Sequence, residues 1–401
     1  MFLRFSFLHE LITAKLGFNP FLALIFGVPA LLFALITGSF QRTIRHKPGI
    51  FFTGFACWLV ISIPFSTWPG GSTSLVMGYL RTEFPLVFII GGLVMTYEEC
   101  AQMFSAIALA GVFTIITGKF FGGFDPEGRL GLALGSIGNA NDYAAHAILV
   151  MPFVGGAMVL TKAKWKKLAC LSTLLLGCYL AALTGSRGGL VGLLAGLVFL
   201  TFFGGNRIRA AVFLGVPALA LCITPFLSRS VVLRYAMLFT NVQATDAETG
   251  GAVGSSEARS MLFHESLGYT LHNPIFGLGP GQFSIVAGRA RREAGSYGDW
   301  QVAHNSYTQA SSEAGLPGVI LMSAGLFSAF VFSARVFRKC PKRVPALRDL
   351  RVLSFCLMLA ILMYAICIAF LSHSYNFTLP ALGGLSIALT TAAHRRLNVA
   401  G

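Results

Sequence analysis

Apolar runs long enough to cross a bilayer recur along most of the chain, and they leave few folds open to it. A spanning helix needs about 17–25 predominantly apolar residues. Runs of that kind lie near 20–40, 49–65, 74–95, 101–118, 143–160, 168–184, 188–203, 211–227, 317–335, 352–371 and 375–392. The reading is an all-α polytopic membrane protein with about 11–12 transmembrane helices. The twelfth depends on whether residues 1–19 insert. That segment carries Arg4, Glu10 and Lys15 among Phe and Leu, which fits an amphipathic interfacial helix, and no cleavable signal sequence stands out. Three parts follow: N-terminal transmembrane helices over 1–227, one long external loop carrying short helices over 228–316, and C-terminal transmembrane helices over 317–401.

Composition agrees with a membrane protein: 55% of residues are hydrophobic, 11% are charged, and the mean hydropathy is +0.73, far from the soluble average. The net charge of +15 does not point to nucleic acid, because Lys and Arg stand mainly in short clusters between apolar runs. Such clusters orient a membrane protein. Arg42, Arg45 and Lys47, then Lys162, Lys164, Lys166 and Lys167, then Arg207 and Arg209, the 335–351 segment, and finally Arg395 and Arg396 all fall on one side. The positive-inside rule makes that side cytoplasmic.

The opposite face holds 66–73, 119–142, the 184–188 turn, the 228–316 loop and 372–374. None of the eight cysteines lies in the 228–316 loop, so no disulfide framework is implied there. Lysine is almost absent from this face, with only Lys119 at a membrane edge against Arg129, Arg187, Arg229, Arg234, Arg259, Arg289, Arg291 and Arg292. Arginine's planar fork recognises phosphate through two donors at once. It also snorkels well at interfaces, and each single Arg is open to either reading.

The most polar block on that face runs from Ala303 to Gly318. Ala303 to Ala314 fits a short helix, with Gly315 as its left-handed stop and Pro317 in the first turn of the next helix. His304 and Thr308, four apart, then share a face. An imidazole held where a membrane helix meets water is a candidate general base, and a structural histidine at a helix end is the plainer alternative. Asn305 orients or caps, and Glu313 either holds His304 or ends the helix.

Thr184-Gly185-Ser186-Arg187-Gly188-Gly189 is a second candidate, a turn whose glycines allow close backbone approach while Ser186 and Arg187 add donors. Arg129 and Asn139 to Asp142 lie in the third external segment, where Asn and Gly also serve as turn residues. Arg81 and Glu83 sit about two turns inside a span, where ionisable groups pair or face a wet cavity; mutual pairing is the favoured reading. In the long loop, 240–256 is rich in Gly, Ser and Thr and reads as mobile. Ser256 is placed to cap a helix through Arg259 that stops before Pro274. Gly277-Leu278-Gly279-Pro280-Gly281 is a tight turn, more structural than anion-binding, with no Walker pattern after it. Carboxylates such as Asp125, Glu127, Asp246 and Asp299 form no Asp-x-Asp cluster and His264 and His272 lack ligand spacing, so no metal site and no cofactor are expected.

His304-Asn305, nine residues, and Gly315-Leu316-Pro317-Gly318 resemble the signature of the bacterial O-antigen ligase and polymerase superfamily. Leu183 to Gly189 opening a span, and Arg259 through His272-Asn273-Pro274-Ile275-Phe276-Gly277-Leu278-Gly279, are similar to that family as well. Together they cover most of the chain from the fourth span onward. The resemblance implies a multi-pass protein of the bacterial inner membrane with its active site on the periplasmic face. It implies an inverting glycosyltransferase that takes a sugar chain from undecaprenyl diphosphate and passes it to a hydroxyl of lipid A core, a growing glycan or a protein. Carried onto this chain, His304 deprotonates the acceptor, Arg187 and Arg259 bind the diphosphate, and Arg129 is a weaker third; ligase and polymerase share these motifs, and the motif order with its single long late loop looks more ligase-like, polymerase being the alternative. A transporter or flippase is the rival from another class. The polar residues gather on one external face and no internal repeat is visible, which disfavours it.

Overall fold

The computed structural model describes residues 1–240, 247–295, 300–341 and 344–400. Among them, eight helices are long and apolar enough to cross a membrane. Shorter apolar helices Leu22–Ile36 and Arg187–Phe203 and the final helix Thr378–Ala400 account for the remaining runs. The protein is an all-α, multi-pass membrane protein. Leu22–Ile36 shows why: it is apolar on all sides and buries only Ala34, which suits lipid and not water.

Two local expectations are corrected. Residues 1–19 form two helices, Phe2–Phe5 and Leu8–Leu16, separated at Phe7 by a left-handed φ of 51°. Neither reaches the roughly 17 residues a span requires. The 74–95 run holds as one candidate span, Pro69–Leu93, with a local interruption between Pro69–Thr82 and Leu86–Leu93. Pro85 has no amide hydrogen and disfavours helical backbone in the residue before it, so the break falls at Glu83 to Pro85. Arg81 is exposed there and makes no ion pair among the described residues, while Glu83 Oε1 accepts from the Thr82 hydroxyl at 3.0 Å. The expected Arg81–Glu83 pair does not form.

The chain divides into two compact units, each assembled from segments distant in sequence. The first comprises Met1–Ile25, Ala101–Ser256 and Arg351–Cys367; the second comprises Phe26–Cys100, Glu257–Leu350 and Ile368–Gly401. Between lipid-exposed helices the hydrophobic effect gives little, and close packing through small residues takes over. In the first unit, Arg187–Phe203 presents Gly192 and Gly196 to the Pro345–Cys367 helix. A Cβ at Gly192 would stand 2.6 Å from Cys367 Sγ, and one at Gly196 would stand 2.6 Å from Met363 Sδ. In the second unit, Phe52 fills the space left by Gly325 and Gly383, and Gly91 faces Ile387. These contacts draw Lys47–Ser62, Ser306–Lys339 and Thr378–Ala400 together.

Among its described residues the 228–316 loop carries the helices Arg229–Ala236, Ala247–His272 and Phe283–Glu293. The helix through Arg259 begins well before Ser256, running Ala247–His272, and it stops before Pro274 as read. Residues 241–246, which include Asp246 and the start of the stretch read as mobile, lie outside the described residues, as does Asp299. Phe283–Glu293 packs on the Arg259 helix through Leu262, Phe283 and Ala287, and Arg291 Nη2 bonds Glu265 Oε2 at 2.6 Å.

Candidate active site

In the first unit three arginines gather around one turn. A short hairpin pairs Gly123–Phe124 with Leu130–Gly131, and its turn is fixed by Asp125 Oδ1, which accepts from the Glu127 and Arg129 amides at 3.0 and 2.9 Å. Arg129, 9% exposed, is thereby aimed at the 184–187 turn. Its Nε donates to the Thr184 carbonyl at 2.9 Å and its Nη2 donates to Asn141 Oδ1 at 2.8 Å. Burial holds the Arg129 guanidinium below its ordinary value, and Arg234 pushes it the same way against the pull of Asp125 and Glu127. Arg234, 3% exposed, comes from the Arg229–Ala236 helix and pairs with Glu127 Oε2, whose carboxylate also stands 4.0 Å from Arg129 Nη1.

Gly185 has a φ of 59°, and a Cβ there would meet Arg234 Cδ at 3.3 Å, so the turn and the buried arginine fit closely. Ser186 is the N-cap of Arg187–Phe203, accepting from the Gly189 amide at 3.2 Å. Arg187 follows at the first helical position, half-buried and facing the charge of Arg234. Among the described residues no carboxylate or carbonyl partners it. Arg129 and Arg234 are held in place by protein groups, and Arg187 is left with donors to spare beside the positive end of a helix, an arrangement suited to an anion.

The second unit holds His304 and Glu313. The expected helix from Ala303 is corrected: it starts at Ser306. Asn305 is the N-cap, its Oδ1 accepting from the Tyr307 and Thr308 amides at 2.9 and 3.2 Å, a geometry that leaves the residue before it outside the helix. His304 therefore does not share a helical face with Thr308. Its φ is 51°, an uncommon conformation for a non-glycine residue. The neighbouring backbone is tied to the segment between the last two long helices. The His304 amide donates to Ser372 Oγ at 2.9 Å, the His373 amide donates to Ser306 Oγ at 2.8 Å, and Ser374 Oγ donates to the Ser306 carbonyl at 2.7 Å. Two histidine-bearing segments are thus held by crossed hydrogen bonds.

Glu313, 4% exposed, is not turned to His304. Its Oε2 accepts from the Gly281 amide at 2.9 Å and from the Tyr375 hydroxyl at 2.8 Å. The Gly277 to Gly281 turn lies directly on the end of this helix, with the Leu278 and Gly279 amides donating to the Ser312 and Glu313 carbonyls at 2.8 and 3.0 Å. It is a structural turn that satisfies the carbonyls of a broken helix end. Gly315 makes the break with φ 68° and ψ −176°. This is the extended positive-φ region open essentially to glycine alone, not the left-handed helical stop expected. A Cβ there would stand 2.0 Å from the Ile275 carbonyl oxygen. Gly315→Ala is expected to cost about 3 kcal/mol or more, combining backbone strain with overpacking. Gly155→Ala, where nothing lies within 4 Å of the new Cβ, should be neutral. Thermal unfolding of the two variants in the same detergent checks the contrast.

Arg259 is half-buried on Ala247–His272 and belongs with His304 and Glu313 in the second unit, whereas Arg129 and Arg187 belong to the first. Sequence reasoning did not single out Glu127, Arg234, His373 or Tyr375. The Ser372-His373-Ser374 interruption between two apolar runs was the available signal for His373. Among the described residues no three His, Cys, Asp or Glu side chains are grouped to hold a metal.

Residues 172–323 match the family model described as O-antigen ligase. The matched stretch contains Arg187, Arg234, Arg259, His304 and Glu313, and Arg129 lies outside it. No curated protein matches the sequence.

Proposed function

Because residues 172–323 match the family model described as O-antigen ligase, we propose that the chain transfers an oligosaccharide or polysaccharide from undecaprenyl diphosphate to an acceptor hydroxyl. The reaction belongs to the periplasmic face of a bacterial inner membrane, the face opposite the lysine clusters. His304 takes the proton of the acceptor hydroxyl as its oxygen attacks the anomeric carbon. The bond from that carbon to the diphosphate oxygen breaks, and its electron pair leaves with undecaprenyl diphosphate. Attack opposite the leaving group inverts the anomeric centre.

Arginine meets the charge that develops on the diphosphate, and preorganised donors of this kind commonly supply a large share of transition-state stabilisation. The observation that carries this reading is Arg187, a half-buried guanidinium without a protein partner among the described residues. Arg234 and Arg129 fix the surrounding turn, Arg259 is a further diphosphate ligand, and Asn305 and Ser186 set helix ends. A mechanism resting on arginine calls for no metal, so activity is expected to survive EDTA.

The test is transfer by purified protein in bilayer nanodiscs, supplied with an undecaprenyl diphosphate-linked oligosaccharide. One reaction adds lipid A core as acceptor and the other adds only more donor. Glycan on lipid A core identifies a ligase, and lengthening of the lipid-linked glycan identifies a polymerase. Movement of intact donor across the bilayer with no new glycosidic bond would replace the enzyme with a transporter.

A further inference from the structure

At the end of the second unit where the basic clusters gather, the helices Lys47–Ser62, Ser306–Lys339 and Thr378–Ala400 enclose a cavity of about 250 Å³, near the lower edge of small-ligand pockets. Its floor is apolar, formed in part by Phe332 and Val336, and its basic lining residues are His46, Arg335, Lys339 and His394. Among the described residues, no Asp or Glu lines it. The acids of this end are engaged elsewhere. Glu98 pairs with Arg396 at 3.1 Å, Asp349 accepts from Tyr97 at 3.0 Å, and Glu99 accepts from the Met95 and Thr96 amides at 2.8 and 3.0 Å.

Arg335 lies over the Phe332 ring at 5.4 Å, and the His46 imidazole meets the edge of the same ring at 5.9 Å. Neither Arg335 nor Lys339 has an ion-pair partner among the described residues. His46, at the N-cap of its helix, is held below its ordinary value by burial and by the facing His394. Four nitrogen-bearing side chains therefore converge without a counter-charge, above an apolar floor.

We propose that this cavity binds the phosphodiester headgroup of an anionic membrane lipid, with Arg335 and Lys339 on the phosphate and the acyl chains against Phe332 and Val336. A basic pocket between membrane helices is suited to an anionic headgroup because each Lys or Arg adds attraction and the adjoining surface remains apolar. This site is separate from the transfer chemistry and does not depend on it. Free phosphate offers the same charge without the chains, so the two sources differ in what the apolar floor contributes.

The experiment is native mass spectrometry of the full chain in detergent, titrated with phosphatidylglycerol, phosphatidylcholine or inorganic phosphate. Wild type should retain phosphatidylglycerol and release phosphatidylcholine, and millimolar phosphate should not displace the retained lipid. R335Q/K339Q should weaken retention about tenfold or more. Both positions are exposed, so the variant is expected to fold, and H394Q, also exposed, gives an independent, smaller loss. K162Q/K164Q removes the same charge from another basic loop and should retain lipid as wild type does. Undiminished retention by both R335Q/K339Q and H394Q would overturn the proposal, and so would an equal loss in K162Q/K164Q. Displacement by inorganic phosphate would make the ligand a free anion and overturn the lipid assignment.

Discussion

His304→Ala and His304→Asn are expected to reach the membrane, bind undecaprenyl diphosphate-linked oligosaccharide and transfer it about 10²–10⁴-fold more slowly, the usual cost of losing general-base assistance. Imidazole is the side chain best matched to accepting a proton near neutral pH. The anchoring of this segment runs through the backbone: the His304 amide is held by Ser372, and Asn305 caps the following helix. Neither bond needs the ring. Asparagine is the more telling replacement, because it tolerates the left-handed φ of 51° at this position better than alanine does. His373→Ala serves as the control, since His373 lies on the segment bonded crosswise to the His304 segment. Single-turnover transfer with pre-bound donor is the measurement. A His304→Asn rate within a few-fold of wild type would move proton acceptance to another group, with His373 the first to examine.

Arg187→Lys is the second large effect, an expected loss of about 10- to 100-fold in transfer with little change in stability. Charge-assisted hydrogen bonds contribute roughly 1.5–3 kcal/mol each, and lysine cannot reproduce the two-donor geometry of a guanidinium on a phosphate. Because Arg187 bonds no protein group among the described residues, the fold loses nothing that the turn depends on. Arg129→Lys should behave differently. Its guanidinium bridges the Thr184 carbonyl and Asn141, and leaving these unsatisfied should cost about 1–3 kcal/mol of stability. Thermal unfolding and transfer, measured on both variants, separate the roles. Full activity in Arg187→Lys would remove the diphosphate clamp, and an unchanged midpoint in Arg129→Lys would remove the structural bridge.

Both variants also show where sequence reading reached its limit. Arg187 and Arg129 were visible as arginines on a lysine-poor face, but the sequence ranks them only by likeness to a family. What separates them is which donors are already used. Glu313 makes the same point: two residues from a helix break, it read as a partner for His304 or a helix end. Its carboxylate goes instead to Gly281 and Tyr375, distant in sequence and brought close by the turn that lies on the helix end.

The sequence by itself determined the class of protein and the position of most helices, because apolar length, helix-breaking Pro and Gly, and Asn or Ser caps act within one or two turns. The break at Gly315, the cap at Asn305 and the stop before Pro274 were legible for that reason. Tertiary structure decided what depends on residues far apart in the chain. It joined Arg129 to Thr184 and Arg234 to Glu127, tied His304 to Ser372, and left Arg81 without an ion pair among the described residues. It also built the two units from interleaved segments. A local pattern fixes local backbone, whereas hydrogen-bond and charge partners are chosen from whatever the packed helices bring within reach.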